Sequence, residues 1–264
     1  MKKFAVFGNP IAHSISPRLH NLAIAGLDLE AFYGRVLLED EKNLKSKFLK
    51  LNLSGANITV PFKEEAFKIC DELETHASKI GSVNTIVKDS NKLIGYNTDA
   101  IGFLQAIDEF GKIKSALILG AGGTARAIAY ALNTKNISTS IVNRSEKRRQ
   151  NFLDYNFKTW NEFVPKGYDL VVNTTSAGLV KNEFPMPVEL LEPTLKNSQY
   201  AFDAIYNKST NFLNLAKNMN LQTKNGKDML VWQAVFALDI FYGGTLNKDK
   251  IYTFMNKAVN LGAQ

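Results

Sequence analysis

Residues 117–145, LILGAGGTARAIAYALNTKNISTSIVNRS, decide the fold. An apolar run at 116–119 suits a buried strand; it breaks into Gly120, Gly122 and Gly123, then takes up helical spacing through Ala127, Ile128, Ala131 and Leu132. A second apolar run at 137–142 falls where the next parallel strand belongs, so the stretch matches the whole strand–helix–strand dinucleotide fingerprint and not its glycines alone. Gly120 lets the chain turn off the strand, and Gly122 removes a side chain that would hold a pyrophosphate away from the backbone. Ala125 fills the third small position, where helix and strand pack closely. The helix start then aims unpaired N–H groups and a positive dipole end at the phosphates.

The end of the second strand distinguishes between dinucleotides. An NAD site places Asp or Glu roughly 20 residues beyond the first glycine, to accept from the ribose 2′-hydroxyl. Here the chain reads Asn143, Arg144, Ser145, with no carboxylate. An arginine fork suits a 2′-phosphate, and Arg148 follows one turn along the next helix, so the cofactor is read as NADP. A solvated surface arginine is the other local reading of Arg144, and the fold alone admits other nucleotides.

A chain of 264 residues has room for two lobes, and its 45% hydrophobic and 22% charged content is that of an ordinary globular protein. The single cysteine, Cys70, excludes an internal disulfide and fits a reducing cytoplasm; its spacing with Phe67 and Leu73 on a helical pattern makes it core filler. His13, His20 and His76 are scattered without a ligand spacing, so no metal is expected. The net charge of +7 is spread along the chain, and its one dense run, 146–149, sits beside the 2′-phosphate position. Anionic small ligands fit that distribution better than nucleic acid. The opening MKKFAVFG resembles a signal peptide until Gly8, Asn9 and Pro10 cut the apolar run short, and no later run reaches membrane-spanning length.

Taken in order, residues 4–7 read as a strand, and Ser16 with Pro17 as a helix start with the serine as N-cap and the proline at the first helical position. Strands are expected at 32–38 and 56–60, helices at 41–51, 62–73 and 75–80, and a hairpin at 83–87 and 92–96. A helix runs from Asp99 to about 110. Further strands are expected at 169–173 and 200–203, with helices between, then turn residues at 224–227. A long apolar helix follows in DMLVWQAVFALDIFYGG, and an amphipathic helix closes the chain at 248–261. The class is α/β with two domains: an N-terminal α/β substrate domain, a Rossmann-like NADP-binding domain, and C-terminal helices returning to the first. The boundaries are drawn at 1–100 with 229–264, and at 101–228.

With a dinucleotide in one domain, polar residues at strand ends of the other are the candidates for chemistry. Ser14 and Ser16 offer two hydroxyls at a helix start, a carboxylate site or simply a cap. Asn57, Thr59 and Lys63 lie at and beyond a strand end. Lys63 falls in the first turn of a helix, where its charge opposes the dipole at a cost of ~0.5 kcal/mol, unless it is only a solvated lysine. Asn84 and Thr85 follow in GSVNT, and Asn97, Thr98 and Asp99 in GYNTD, where Asp99 is either a cap or an acid. A lysine and an aspartate brought together would share a proton and move it to or from a substrate oxygen.

Ser14-x-Ser16, NITVPFK ending at Lys63, GSVNT, GYNTD, GAGGTARA, VNRS, NTTSAG, DAIY and NGKDMLVWQA resemble, in order and over nearly the full length, the shikimate dehydrogenase family. That resemblance implies NADPH-dependent reduction of 3-dehydroshikimate to shikimate, toward chorismate and the aromatic amino acids. It implies a small-molecule partner with no nucleic acid and no membrane, and it admits a homodimer. By the same resemblance Lys63 and Asp99 are the catalytic pair. Ser14, Ser16, Thr59, Asn84, Tyr206 and Gln233 hold the substrate. Gly120, Ala121, Gly122, Gly123, Thr124, Asn143, Arg144, Ser145 and Arg148 hold NADP, with Ile205 and Gly226 near its nicotinamide. The chain departs from the family pattern at Thr75, Leu179, Lys208 and Phe241; none of these touches the proton-transfer pair, and they bear on the nicotinamide-side contacts and on Tyr206.

Overall fold

The computed structural model describes residues 1–261. It divides into two compact units, one of residues 1–102 together with the chain from Val231 onward, the other of Phe103–Leu230.

The first unit begins with β1 (Lys2–Gly8), whose residues from Phe4 on are all buried, as a parallel strand covered on both faces must be. It continues through α1 (Ser16–Gly26), β2 (Ala31–Leu37), α2 (Leu44–Lys50), β3 (Gly55–Ile58), α3 (Lys63–Ile69), β4 (Glu72–Leu73), α4 (Thr75–Ile80), β5 (Thr85–Asp89), β6 (Lys92–Tyr96) and the start of α5 (Asp99–Ala106), whose last four residues belong to the second unit. Its sheet runs β2-β1-β3-β5-β6-β4. β1 is parallel to β2 and β3, whereas β5 runs antiparallel to β3 and forms a hairpin with β6. Phe7, Phe48, Ile58, Ile86 and Leu93 fill one core of this sheet.

The second unit is a wholly parallel sheet built from β7 (Ser115–Leu119), α6 (Gly123–Thr134), β8 (Ser138–Asn143), β9 (Asn156–Thr159), β10 (Leu170–Asn173), α7 (Val188–Lys196), β11 (Tyr200–Asp203), α8 (Asn211–Asn218) and β12 (Gln222–Asn225). The order β12-β11-β10-β7-β8-β9 places the topological switch between β7 and β10, the place where open α/β sheets bind ligands. α9 (Lys227–Phe241) begins in this unit and ends in the first, and α10 (Lys248–Asn260) lies in the first. There Phe241 stacks on Phe4 of β1 at 4.5 Å, and Tyr252 of α10 stacks on Trp232 of α9 at 4.4 Å. The Phe4–Phe241 stack fastens the end of α9 to β1, the Trp232–Tyr252 stack joins α9 to α10, and α10 packs on α1, so the C-terminal helices return to the N-terminal unit.

Local differences from the sequence reading have identifiable causes. Ile15, not Ser16, occupies the N-cap of α1; the Ser14 hydroxyl accepts from the Ser16 N–H at 3.4 Å, so Pro17 sits second in the helix. The helix expected at 62–73 stops at Ile69. Beyond it Asp71 binds Leu93 through both main chain and side chain, each at 2.8 Å, which draws Glu72 and Leu73 onto the sheet edge as β4. Cys70 still packs against the core with Phe67 and Leu73, though from just beyond the helix. α5 ends at Ala106, where Phe110 turns to stack on Tyr200. Arg148 lies in a 3-10 helix, Glu146–Phe152, not an α-helix. Lys224 and Asn225, expected in a turn, belong to β12.

Candidate active site

Lys63 is the first residue of α3 and Asp99 the first of α5. The fold joins them: Lys63 Nζ donates to Asp99 Oδ2 at 2.6 Å, with side chains only 13% and 8% exposed. An aspartate is favoured at a helix start and a lysine is not, so the pairing compensates a charge that α3 alone would leave unfavourable. The other Asp99 oxygen accepts from Asn84 Nδ2 at 2.8 Å. Asn97 Oδ1 accepts the Asp99 N–H at 3.1 Å while its amide donates to the Ser82 carbonyl, which fixes the start of α5.

The Asn84 amide is wholly committed to neighbours. Its Oδ1 accepts from the Thr98 N–H at 2.9 Å and from the Thr85 hydroxyl at 3.0 Å, and its amide donates to Thr98 Oγ1 as well as to Asp99. Ser14 and Ser16 form a separate pair, hydroxyl to hydroxyl at 3.3 Å, and the Ser14 carbonyl accepts from Arg35 Nε. Thr59 follows β3 with its N–H donated to the Phe7 carbonyl, and a Cβ on Gly8 would come within 2.5 Å of its methyl, so a glycine there lets the ends of β1 and β3 close on one another. Gln233 lies on α9 against α5, where a Cβ on Gly102 would approach the Gln233 nitrogen to 2.8 Å. These residues all belong to the first unit.

Tyr206 belongs to the second. It follows β11 in a loop fastened by Asp203, which accepts from Thr210 Oγ1 at 2.6 Å, the Ile205 N–H at 3.0 Å and Asn173 Nδ2 at 3.1 Å. Burial pushes the Asp203 carboxyl up despite those donors, and burial also raises the Tyr206 hydroxyl. Gly226 donates to the Ile205 carbonyl, and a Cβ there would meet the Ala204 oxygen at 2.3 Å, so only glycine fits. Asp203 and Asn173 open the DAIY and NTTSAG strings but receive no role from the sequence, and Thr210 is not singled out there; an acid at a strand end followed seven residues later by a helix-capping threonine is the signal that joins them.

The glycine turn fits a dinucleotide. Gly120 has φ +104°, which an L side chain rarely adopts, and a Cβ there would meet Thr174 Oγ1 at 2.8 Å. Gly122 caps α6 with no side-chain partner, and a Cβ on it would meet nothing within 4 Å: the space before the helix start is open. Ala121 and Ala125 are buried, while Gly123 and Thr124 are half-buried. At the end of β8, Asn143 donates to the Ser145 carbonyl at 2.8 Å, and Arg144 and Arg148 are exposed. Arg149 binds both oxygens of Glu162 and the Phe157 carbonyl.

Against this geometry, the shikimate dehydrogenase (NADP(+)) of Helicobacter hepaticus is 47% identical over 96% of this chain and 98% of its own length. The chain belongs to the shikimate dehydrogenase family. The Helicobacter acinonychis enzyme of the same name is 40% identical over 97% of the chain and 98% of its own length. The family model for the shikimate dehydrogenase substrate binding domain matches residues 6–86, which contain Ser14, Ser16, Thr59, Lys63 and Asn84. Among solved structures, shikimate 5-dehydrogenase from Thermus thermophilus in complex with NADP(H) and shikimate superimposes with a TM-score of 0.84 at 32% identity, over 98% of this chain and 100% of that one. Shikimate dehydrogenase from Aquifex aeolicus gives 0.85 at 31%, over 98% and 97%. This member of the family thus has the two-unit α/β architecture of its relatives. Among its described residues no helix is long and apolar enough to cross a membrane.

Proposed function

We propose that this chain reduces the ketone of 3-dehydroshikimate to the hydroxyl of shikimate with NADPH, and that Lys63 and Asp99 carry the proton. The carrying observation is the 2.6 Å contact between Lys63 Nζ and Asp99 Oδ2 at the starts of two helices, in a family whose named relatives are NADP(+)-dependent. Residues 1–100 and 229–264 bind the ring acid; residues 101–228 bind the dinucleotide.

Ser14 and Ser16 hold the substrate carboxylate with paired hydroxyls. Thr59, Gln233 and Tyr206 bond or orient the ring, and Asn84, whose amide is taken up by Thr85, Thr98 and Asp99, helps orient it by holding Asp99. Gly120, Ala121, Gly122, Gly123 and Thr124 admit the pyrophosphate to the open start of α6. Asn143, Arg144, Ser145 and Arg148 take the adenosine side, with Arg144 on the 2′-phosphate, and Ile205 and Gly226 flank the nicotinamide. The bound cofactor supplies a hydride to the carbonyl carbon. As the oxygen gains charge, Lys63 hands it a proton and its ammonium stabilises the developing alkoxide, while Asp99 keeps Nζ aimed.

A cytoplasmic location belongs to this reading, supported by one cysteine with no partner to oxidise to. So does a homodimer, supported by exposed Phe32 and Leu37 on β2, an edge strand. Sedimentation as a monomer at micromolar concentration would remove the dimer without touching the chemistry. Lys63→Ala tests the chemistry: kcat in the 3-dehydroshikimate assay should fall at least ~100-fold with KM moved far less. An unchanged kcat rejects the assignment.

A further inference from the structure

The proton-transfer pair is tied to a residue that can touch neither substrate nor cofactor. Tyr33, on β2, is completely buried. Its ring lies flat on His20, centroids 4.1 Å apart and planes within 3°, and its main chain is gripped on both sides by Asn21, whose amide donates to the Tyr33 carbonyl and accepts from the Tyr33 N–H, each at 2.9 Å. The phenol reaches past β1 to β3, where its O–H donates to Asn57 Oδ1 at 2.7 Å. Asn57 Nδ2 then donates to Thr85 Oγ1 at 3.0 Å, across the β3–β5 pairing in which the two residues are opposite. Thr85 Oγ1 donates to Asn84 Oδ1, and Asn84 Nδ2 donates to Asp99 Oδ1.

Every link points the same way, and the reverse order is not available. Asp99 only accepts from Asn84, so the Asn84 amide nitrogen must face it, and the Thr98 N–H demands the same orientation from the other side. The Asn84 oxygen then claims the Thr85 proton, which leaves the Thr85 oxygen to accept from Asn57. The Asn57 oxygen is in turn left for a donor, and the Tyr33 hydroxyl is that donor.

Resting on the reading of Lys63 and Asp99 as the reactive pair, we infer that Tyr33 is a positioning residue for that pair, acting through Asn57, Thr85 and Asn84 on the Asp99 carboxylate. Removing its hydroxyl leaves the buried Asn57 oxygen unpaired, so that amide is held only through Nδ2, which donates to Thr85 Oγ1 and, at 3.4 Å, to the Asn84 carbonyl; each link then loosens down to Asp99 Oδ1, on the carboxylate whose other oxygen holds Lys63.

Tyr33→Phe keeps the ring and its stack on His20 and removes one atom. The expected result is a roughly tenfold fall in kcat with both KM values unchanged, because the loss acts on alignment in the reacting complex and not on binding. In an Asp99→Asn background the same substitution should cost nothing further, since the chain then no longer ends on a carboxylate. Thr85→Val cuts the chain at a second link and should reproduce the loss. An unchanged kcat in Tyr33→Phe beside a collapsed Lys63→Ala overturns the relay and spares the reaction assignment; so does a loss that multiplies with Asp99→Asn, which marks a general structural defect. An undiminished Lys63→Ala overturns both.

Discussion

Lys63 and Asp99 stand 36 residues apart in sequence, each at the first position of its helix, with 2.6 Å between Nζ and Oδ2. The two helix starts have unlike demands. α5 is favoured by a carboxylate at its start and α3 is not favoured by an ammonium, although Glu64 and Glu65 follow within the first turn of α3. Asp99→Asn keeps the shape and the bond from Asn84 but removes the charge facing Lys63. We expect kcat to fall about 100-fold with the substrate KM changed far less, and the midpoint of thermal unfolding to drop, since a partly buried ammonium loses its counterion. Steady-state kinetics and calorimetry read the two effects, and equal losses in kcat and binding would argue against a proton-transfer role.

Arg144 and Arg149 test the proposed division between cofactor recognition and structure. Both come from one basic stretch, yet Arg149 is tied to Glu162 and the Phe157 carbonyl while Arg144 is exposed at the end of β8. Arg144→Ala should raise KM for NADPH about tenfold or more and leave KM for NADH near its starting value. Arg149→Ala should leave both and lower stability. The Glu162 carboxyl is held below its ordinary range by the Thr159 N–H first and by Arg149 next, so its contribution is present above pH ~4.5 and lost as the pH falls through the depressed value. The stability difference between wild type and Arg149→Ala should therefore narrow in acid. A shift in NADPH affinity from Arg149→Ala, with none from Arg144→Ala, would reverse the assignment.

Gly122 and Gly102 give opposite outcomes to the same substitution. A methyl on Gly122 enters open space, at φ −85°, so Gly122→Ala should fold with unchanged or slightly raised thermal stability. That open space is where the proposed pyrophosphate must approach the backbone, and NADPH affinity should fall about tenfold or more by fluorescence titration. A methyl on Gly102 meets the Gln233 main chain at 2.8 Å, and Gly102→Ala should lower stability. If Gly122→Ala binds NADPH as well as wild type, the cradle is elsewhere.

The parts of this molecule that sequence made legible are those whose cause is local. The glycine turn between β7 and α6 needs Gly120 at φ +104° and the small Ala125 against the sheet, and both are written in consecutive residues. Lys63 stood out because its charge opposes its own helix. What stayed hidden depends on distant partners. NFKT at β9 and QTKN at β12 are too short and polar to read as strands; they exist because β8 and β11 offer them an edge. The early end of α3 is set by Leu93, over twenty residues away. Tyr33 reads as an ordinary strand aromatic until the fold brings Asn57 to its hydroxyl.

His20 carries the clearest pH signature in the fold. It is buried in α1 between Tyr33, on which it stacks, and Phe241, 6.2 Å away, and neither ring nitrogen has a hydrogen-bond partner. Burial without a partner lowers its pKa from an ordinary 6.5 to about 3. Between those values the unfolded chain binds a proton that the native chain refuses, so the cost is absent above pH 6.5 and grows as the pH falls toward 3. One proton corresponds to a slope of about 1.4 kcal/mol per pH unit. His20→Phe preserves the stack on Tyr33 and removes the titrating group. Urea unfolding followed by circular dichroism should therefore show wild type losing stability faster than His20→Phe as the pH goes from 7 to 4. The two curves should run parallel above 7, where both rings are uncharged. Parallel curves over the whole range would mean that the imidazole finds a proton partner or reaches water in the native state, against the burial seen here.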